Sequence, residues 1–247
     1  MAYLIVPKNK DMYENIEPGY YHKVMTEGNK IQQFWHREKF NKVIECLKPI
    51  TRKRILDVGC GPGTLISMIP EEYESIQGVD ISSNQITFAR NLVKCQRAGF
   101  LAVDIMDIVC YMKFDHITMV EVIEHMPKND TKKIFQKIRE SLTADGTFII
   151  TTPNYRSLWP VIEWVWNKIN PINYEEQHIN KFTRKRLKAE LMQAGFKIES
   201  MRTFFIFSQF CNILSPKLAK WIMGIEETLF PQFGSLIIVE AKLAKPL

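Results

Sequence analysis

The sequence predicts an α/β protein in which a mostly parallel sheet is covered by helices on both faces. Three observations carry that prediction. Strand-like and helix-like segments alternate between residues 54 and 153, the pattern left by repeated crossover units. A glycine-rich turn, GCGPG at 59–63, follows the first strand directly. Polar groups then close successive strands at Asp80, Asp104, Glu121–His125 and Pro153–Asn154.

Residues 1–30 are rich in Tyr, Lys, Glu and Gly and show weak periodicity, so they read as an arm or lid ahead of a domain spanning 31–247. Ile31, Phe34, Trp35, Phe40, Val43, Ile44 and Leu47 recur at helical spacing. Pro49 closes that helix. RILDVG (54–59) is a strand, followed by the glycine turn and the helix-like LISMI. IQGVD (76–80) is the second strand, and SSNQITFARNLVKC is a helix with Ser82 or Ser83 as N-cap. FLAVD (100–104) and HITMVEVI (116–123) are the third and fourth strands. NDTKKIFQKIRESL is a helix ending before the turn TADG, and TFIITTP (147–153) is the fifth strand. FTRKRLKAELMQAGF (182–196) is a helix with Thr183 as cap and Gly195 as stop. KIESMRTFFIF and SLIIVEAKL complete the set as two late strands.

The bulk properties narrow the class. A 247-residue chain, 46% apolar and 24% charged, buries a sizeable core in one large domain. The formal charge of +6 is mild. It permits an anionic partner but excludes a nucleic-acid footprint unless the charge clusters, so no DNA partner is expected and RNA is disfavoured. The five cysteines form no CxxC pair. With no secretory signal and no apolar run of about eighteen residues, they read as reduced thiols in the cytoplasm.

Ligands of such sheets bind beyond the carboxyl ends of the strands, where strand order reverses. Gly59–Gly63, Asp80, Asp104, Glu121–His125 and Pro153–Asn154 all fall on that rim. Glycines let the backbone approach a ligand closely. Asp80, about twenty residues on, is placed to take both hydroxyls of a ribose. Asp57 before the turn and Asp104 after the third strand strengthen the assignment to a nucleoside cofactor.

ILDVGCGPGT, GVDIS, VDIMD, FDHITMVEVIEHM and LTADGTFIITTPN occur in that order within about residues 30–200. Together they closely resemble class I S-adenosylmethionine-dependent methyltransferases. The resemblance implies a Rossmann-like, seven-stranded sheet of order 3-2-1-4-5-7-6 with an antiparallel last strand. It implies that Gly59 and Gly61 pass under the methionine part of the cofactor and that Asp80 holds the ribose. Ile81 would pack on adenine, Asp104 and Ile105 would sit at its edge, and Glu121 would line the same pocket. NAD is disfavoured by the tighter GxGxG turn. FWHREKF resembles an element of the ubiquinone-biosynthesis O-methyltransferases, which implies that Arg37 meets the cofactor carboxylate.

EVIEH at 121–125 places Glu121, Glu124 and His125 at spacings that share one helical face. With His178 from HINKF they could hold Mg²⁺ or another divalent cation. Without a metal, His125 or His178 is the expected general base and Glu124 a cap or proton acceptor. The spacing also resembles metal-dependent RNA ribose 2′-O-methyltransferases, but their additional histidine is replaced here by Glu175, Glu176 or Gln177.

Substrate choice is expected in two aromatic segments, about 155–180 and 204–230, which carry Trp159, Trp164, Trp166, Phe204, Phe205, Phe207, Phe210, Trp221 and Phe230. They read either as ordinary packing on the sheet or as an apolar cover over a lipid-like or aromatic small molecule. In the second case Lys217, Lys220 and Trp221 could touch a membrane surface. The expected function is O-methylation of such a metabolite. RNA ribose methylation and a non-catalytic cofactor-binding role are the alternatives.

Overall fold

A computed structural model describes residues 16–107, 112–169 and 177–244. The arm before residue 16, the centre of the first aromatic segment and the side chain of Trp166 lie outside the described residues.

Helices α1 (Tyr20–Glu27) and α2 (Lys30–Cys46) precede β1 (Arg54–Val58). Then come α3 (Thr64–Met68), β2 (Ser75–Asp80), α4 (Ser83–Leu92) and β3 (Ala98–Ala102). A short 3-10 turn leads to β4 (Phe114–Val120), followed by a second at Ile123–His125. The chain continues through α5 (Thr131–Ser141), β5 (Leu142–Pro153), α6 (Trp159–Ile169), α7 (Arg184–Gln193) and β6 (Phe196–Phe204). It closes with α8 (Ser208–Cys211), α9 (Pro216–Leu229) and β7 (Leu236–Leu243). The sheet runs β3-β2-β1-β4-β5-β7-β6. The first five strands are parallel, and β7 is antiparallel to both neighbours. This is the expected doubly covered, Rossmann-like α/β sheet.

Alternation along each strand builds two cores. Ile55, Ile76, Ile149 and Ile238 face one side, where Val43, Leu65 and Ile86 pack on them. Leu56, Ile117, Phe148, Ile150 and Val239 face the other, against Ile134, Phe135 and Leu187. Strands buried on both faces read as continuous apolar runs, which is why their existence was evident.

Boundaries moved where local chemistry competes with periodicity. β3 begins at Ala98 rather than at 100. β5 begins at Leu142, across TADG, because Leu142 pairs with Phe114 and Thr147 with His116. Four residues of β5, 143–146, thus stand against Asp115 alone, an irregularity that absorbs the turn signal. β6 stops at Phe204 because Phe205 adopts φ 65° and turns the chain. Both aromatic segments contain helices, α6 and α9. Caps match expectation: Ser82 accepts from the Gln85 N–H at 3.3 Å and Thr183 from the Arg186 N–H at 3.3 Å.

The rim is therefore real geometry. β1 and β4 are neighbours, the reversal of order lies between them, and β1 to β4 all end on the same edge.

Candidate functional site

A cavity of about 790 Å³ opens on that edge. One wall is the glycine loop with the ends of β2, β3 and β4. The opposite wall is a face of α2, with Ile16 and Tyr21 of the arm, Trp159 at the start of α6, His178 and Phe210 of α8. Gln85 on α4 ties the arm down: its Oε1 accepts from the Gly19 N–H at 3.0 Å, and its Nε2 donates to the carbonyls of Ile16 and Glu17 at 3.3 and 3.2 Å.

The loop wall brings together Asp57, Gly59, Gly61, Asp80, Ile81, Asp104, Ile105 and Glu121. Asp80 organises it. Its Oδ2 accepts the Gly61 N–H at 2.8 Å and its Oδ1 the Ser82 N–H at 2.9 Å. Gly59 and Gly61 have φ of 70° and 50°. A Cβ on Gly61 would meet nothing within 4 Å, because the loop faces open space there. A Cβ on Gly59 would stand 2.3 Å from Val122 Cγ2. Gly59→Ala is therefore expected to lose about 2–4 kcal/mol, from the left-handed backbone and the clash together, read as a drop in unfolding midpoint.

Asp57 lies beneath the loop, buried, with Oδ1 accepting from Thr118 Oγ1 at 2.7 Å. Burial, aided by the Asp80 charge and opposed by that hydrogen bond, pushes its carboxyl up to about 7. The folded protein thus keeps a proton that the unfolded chain releases near pH 4. This contribution to stability is fully present below pH 4 and is lost as pH rises through 7. Asp57→Asn keeps the acceptor for Thr118, so its unfolding free energy should fall less between pH 4 and 7, by a few kcal/mol, in denaturant titrations.

Arg37 does not join the site: it is exposed on α2 and lines none of the cavity. Ile31, Gln32, Trp35, His36, Lys39 and Phe40 are the lining positions of α2, recurring at helical spacing on one side of it. Lys39 is the cation on this wall. It is buried, forms an ion pair with Glu121 and lies 3.3 Å from His36 Nδ1. Burial, then the Lys39 charge, holds the His36 imidazole well below its usual range. Glu121 reaches Lys39 from a strained backbone, φ 53°, just past β4.

A second polar group lies beside it. Glu124, His125 and His178 place one ligand atom each within 4.8 Å of one another. Glu121, expected as a fourth ligand, is not in this group; its carboxylate is drawn to Lys39. Glu124 is fully buried, with Oε2 accepting from Thr152 Oγ1 at 3.0 Å and no partner on Oε1. Burial pushes its carboxyl up to about 7. His125 Nδ1 lies 3.1 Å from the Gln177 carbonyl. Burial and the neighbouring His178 push its imidazole down to about 3, so it stays neutral at physiological pH.

His178 is delivered by the segment after α6. The Asn180 N–H donates to the Glu124 carbonyl at 2.9 Å, and buried Phe182 anchors the far end. His178 Nδ1 lies 2.5 Å from Glu163 Oε1 on α6 and 2.9 Å from Tyr155 Oη, which donates to Glu163 at 2.8 Å. Burial raises the Glu163 carboxyl, but the bonds from His178 and Tyr155 outweigh it and hold the group below its ordinary value. Glu163 and Tyr155 were absent from the sequence expectations. Trp159 and Trp35 close the floor, their rings 5.4 Å apart, with Trp159 6.1 Å from the His178 ring.

Residues 31–201 match the family described as a methyltransferase domain. Over 166 residues the chain is 28% identical to sphingolipid C9-methyltransferase 1 of Gibberella zeae, covering 60% of this chain and 30% of that protein. Over 113 residues it is 33% identical to the ubiquinone biosynthesis O-methyltransferase of Actinobacillus pleuropneumoniae, covering 41% of this chain and 46% of that protein. The matched stretch spans less than half the length of either relative. Among solved structures, magnesium protoporphyrin IX methyltransferase from Synechocystis PCC 6803 with bound SAH shares the fold, with a TM-score of 0.66 at 15% identity over 95% of this chain and 98% of that one.

Proposed function

The chain belongs to the methyltransferase-domain family, and from that premise we propose that it transfers a methyl group from S-adenosylmethionine to a hydroxyl oxygen of a small apolar or aromatic metabolite, with His178 as general base. The observation that carries this reading is His178, paired with Glu163, on the wall of the same cavity as Asp80 and the glycine loop.

The loop wall suits the cofactor. Gly61 leaves open space where any side chain would intrude. Asp80 stands on the cavity wall at the end of β2, where its carboxylate, shaped by the Gly61 and Ser82 N–H groups, suits the hydroxyls of a ribose. Ile81 and Ile105 offer apolar flanks for adenine, beside Asp104. Lys39 and Glu121 present opposite charges to the two ends of an amino-acid zwitterion, so Lys39 takes the role expected of Arg37. When bound, S-adenosylmethionine supplies a methyl group activated by its sulfonium, whose methyl–sulfur bond breaks as the methyl–oxygen bond forms.

The remaining work is alignment and removal of one proton. With Glu163 Oε1 2.5 Å from Nδ1, His178 is taken as the tautomer protonated at Nδ1, which makes Nε2 the basic nitrogen. Nε2 takes the proton of the acceptor hydroxyl, and Glu163 stabilises the imidazolium that forms. His125, held neutral by burial, is a weak base. The mostly apolar cavity and its Trp35–Trp159 floor fit a lipid-like or aromatic acceptor, in keeping with the sphingolipid and ubiquinone named for the relatives. An open cavity with converging histidine rings, 5.0 Å apart, counts against a non-catalytic binding role.

The test is transfer of labelled methyl into small-molecule and RNA extracts, with and without EDTA. The expected product is an apolar methyl ether whose formation is lost in His178→Asn. A label on carbon or in RNA would overturn the acceptor assignment, and no binding of S-adenosylhomocysteine in calorimetry would overturn the cofactor.

One observation favours a second reading, a divalent cation on Glu124, His125 and His178: the buried, unpartnered Oε1 of Glu124 points to a missing partner. Two imidazoles among three donors suit Zn²⁺, Mn²⁺ or Fe²⁺ better than Mg²⁺. Metal content of the purified protein, lost in Glu124→Gln, would support it; activity unchanged by EDTA together with no bound metal would end it.

A further inference from the structure

We propose that the mouth of the cavity docks on an anionic lipid bilayer, from which the acceptor enters directly. The inference rests on the proposed function only for the nature of that acceptor. Leu158, Val161, Phe207 and Phe210 form the lip of the mouth. All four both line the cavity and stand between 40% and 60% exposed. Trp164 on α6 is 55% exposed. Ile213 and Leu214, between α8 and α9, and Trp221 on α9 are 53%, 79% and 63% exposed. Large apolar side chains exposed in the same two segments that line the mouth of a cavity mark an interaction site rather than chance exposure.

Charge identifies the occupant. Segments 158–169 and 207–233 carry three carboxylates, Glu163, Glu226 and Glu227, and none is exposed. Glu163 is held by His178, Glu226 accepts the N–H groups of Ile206, Phe207 and Ser208, and Glu227 pairs with Lys42. The exposed ionisable groups are all lysines: Lys168, Lys217 and Lys220. Lys168 stands 3.7 Å from the centre of the Trp164 ring, and Lys220 also reaches Glu38 at 3.1 Å. Tryptophan and phenylalanine interleaved with lysine, without exposed acid, match the depth profile of an anionic interface: apolar groups enter the acyl boundary and ammonium groups meet headgroup phosphates. A second copy of this chain fits less well, since a two-fold contact would set lysine against lysine.

The test is vesicle flotation of the full chain with phosphatidylcholine alone and with about one-third phosphatidylglycerol added. The expected result is binding to the anionic vesicles, weaker binding to the neutral ones, and release by salt. The triple variant Trp164→Ser, Leu214→Ser, Trp221→Ser touches no cavity-lining residue and should lose about tenfold or more in partition while keeping S-adenosylhomocysteine affinity. If the triple variant fails to fold, Lys217→Glu alone should still lower binding to anionic vesicles several-fold. No flotation with anionic vesicles, equal partition of the variants, or a dimer in light scattering that the triple variant abolishes would each overturn the proposal. Flotation is read without turnover, so its failure leaves methyl transfer standing, and failure of methyl transfer leaves the docking result intact.

Discussion

Asp80→Ala is expected to lower the affinity for S-adenosylhomocysteine by about 100-fold or more in calorimetry. Two hydrogen bonds from ribose hydroxyls to a carboxylate are worth about 1.5–3 kcal/mol each, and each 1.4 kcal/mol is tenfold. The substitution also frees the N–H groups of Gly61 and Ser82, which Asp80 now holds at 2.8 and 2.9 Å, so the loop loses its shape as well. Unfolding of the protein without cofactor separates the two effects, because only loop loosening lowers the midpoint there. Asp80→Asn sharpens the separation: one of its two oxygens becomes an N–H₂ that faces a backbone donor. Unchanged affinity in either variant would remove Asp80 from the cofactor site.

The second large effect concerns proton removal. His178→Ala should lower kcat by about 10²–10⁴, the usual worth of a positioned base, while S-adenosylhomocysteine affinity stays within about twofold. Glu163→Gln should lower kcat less, because Tyr155 still holds Nδ1, and should leave the acceptor KM unchanged. That split identifies positioning: a variant that merely disturbed α6 would raise KM through the lip residues Leu158 and Val161. If kcat survives His178→Ala, the base lies elsewhere.

The legible parts of this molecule are those written at short range. Strand runs, the glycine turn, Asp80 at the end of β2 and the caps Ser82 and Thr183 each need only a few consecutive residues, and each is present, with the bounds of β3 to β6 shifted by local chemistry. Lys39 was also within reach: it shares the periodic face of Trp35 and His36, from which Arg37 is turned away, but motif resemblance outweighed periodicity. Glu163 and Tyr155 were not within reach. Their meeting with His178 is made by the fold across 15 and 23 residues, inside a stretch whose aromatic content masked its polar members. Glu121 shows a third kind of limit. Its left-handed backbone, imposed as the chain leaves β4, aims the carboxylate at Lys39 and away from the histidines its spacing had grouped it with.

The place of β7 between β5 and β6 governs how the molecule is born. A ribosome delivers β5 and β6 before β7, and in the finished sheet they are not neighbours, because β7 lies between them. Until Leu236–Leu243 emerges, both strands present bare backbone edges, and one face of the core lacks Ile237 and Val239. The end of β5 waits as well, since Asn154 is pinned by the Ser235 and Gly234 carbonyls at 2.8 and 2.9 Å. Tyr155, the neighbour that steadies His178, follows directly. The His178 side of the cavity therefore leans on β7 through Asn154, whereas the glycine loop and Asp80 stand on strands that precede it in the chain.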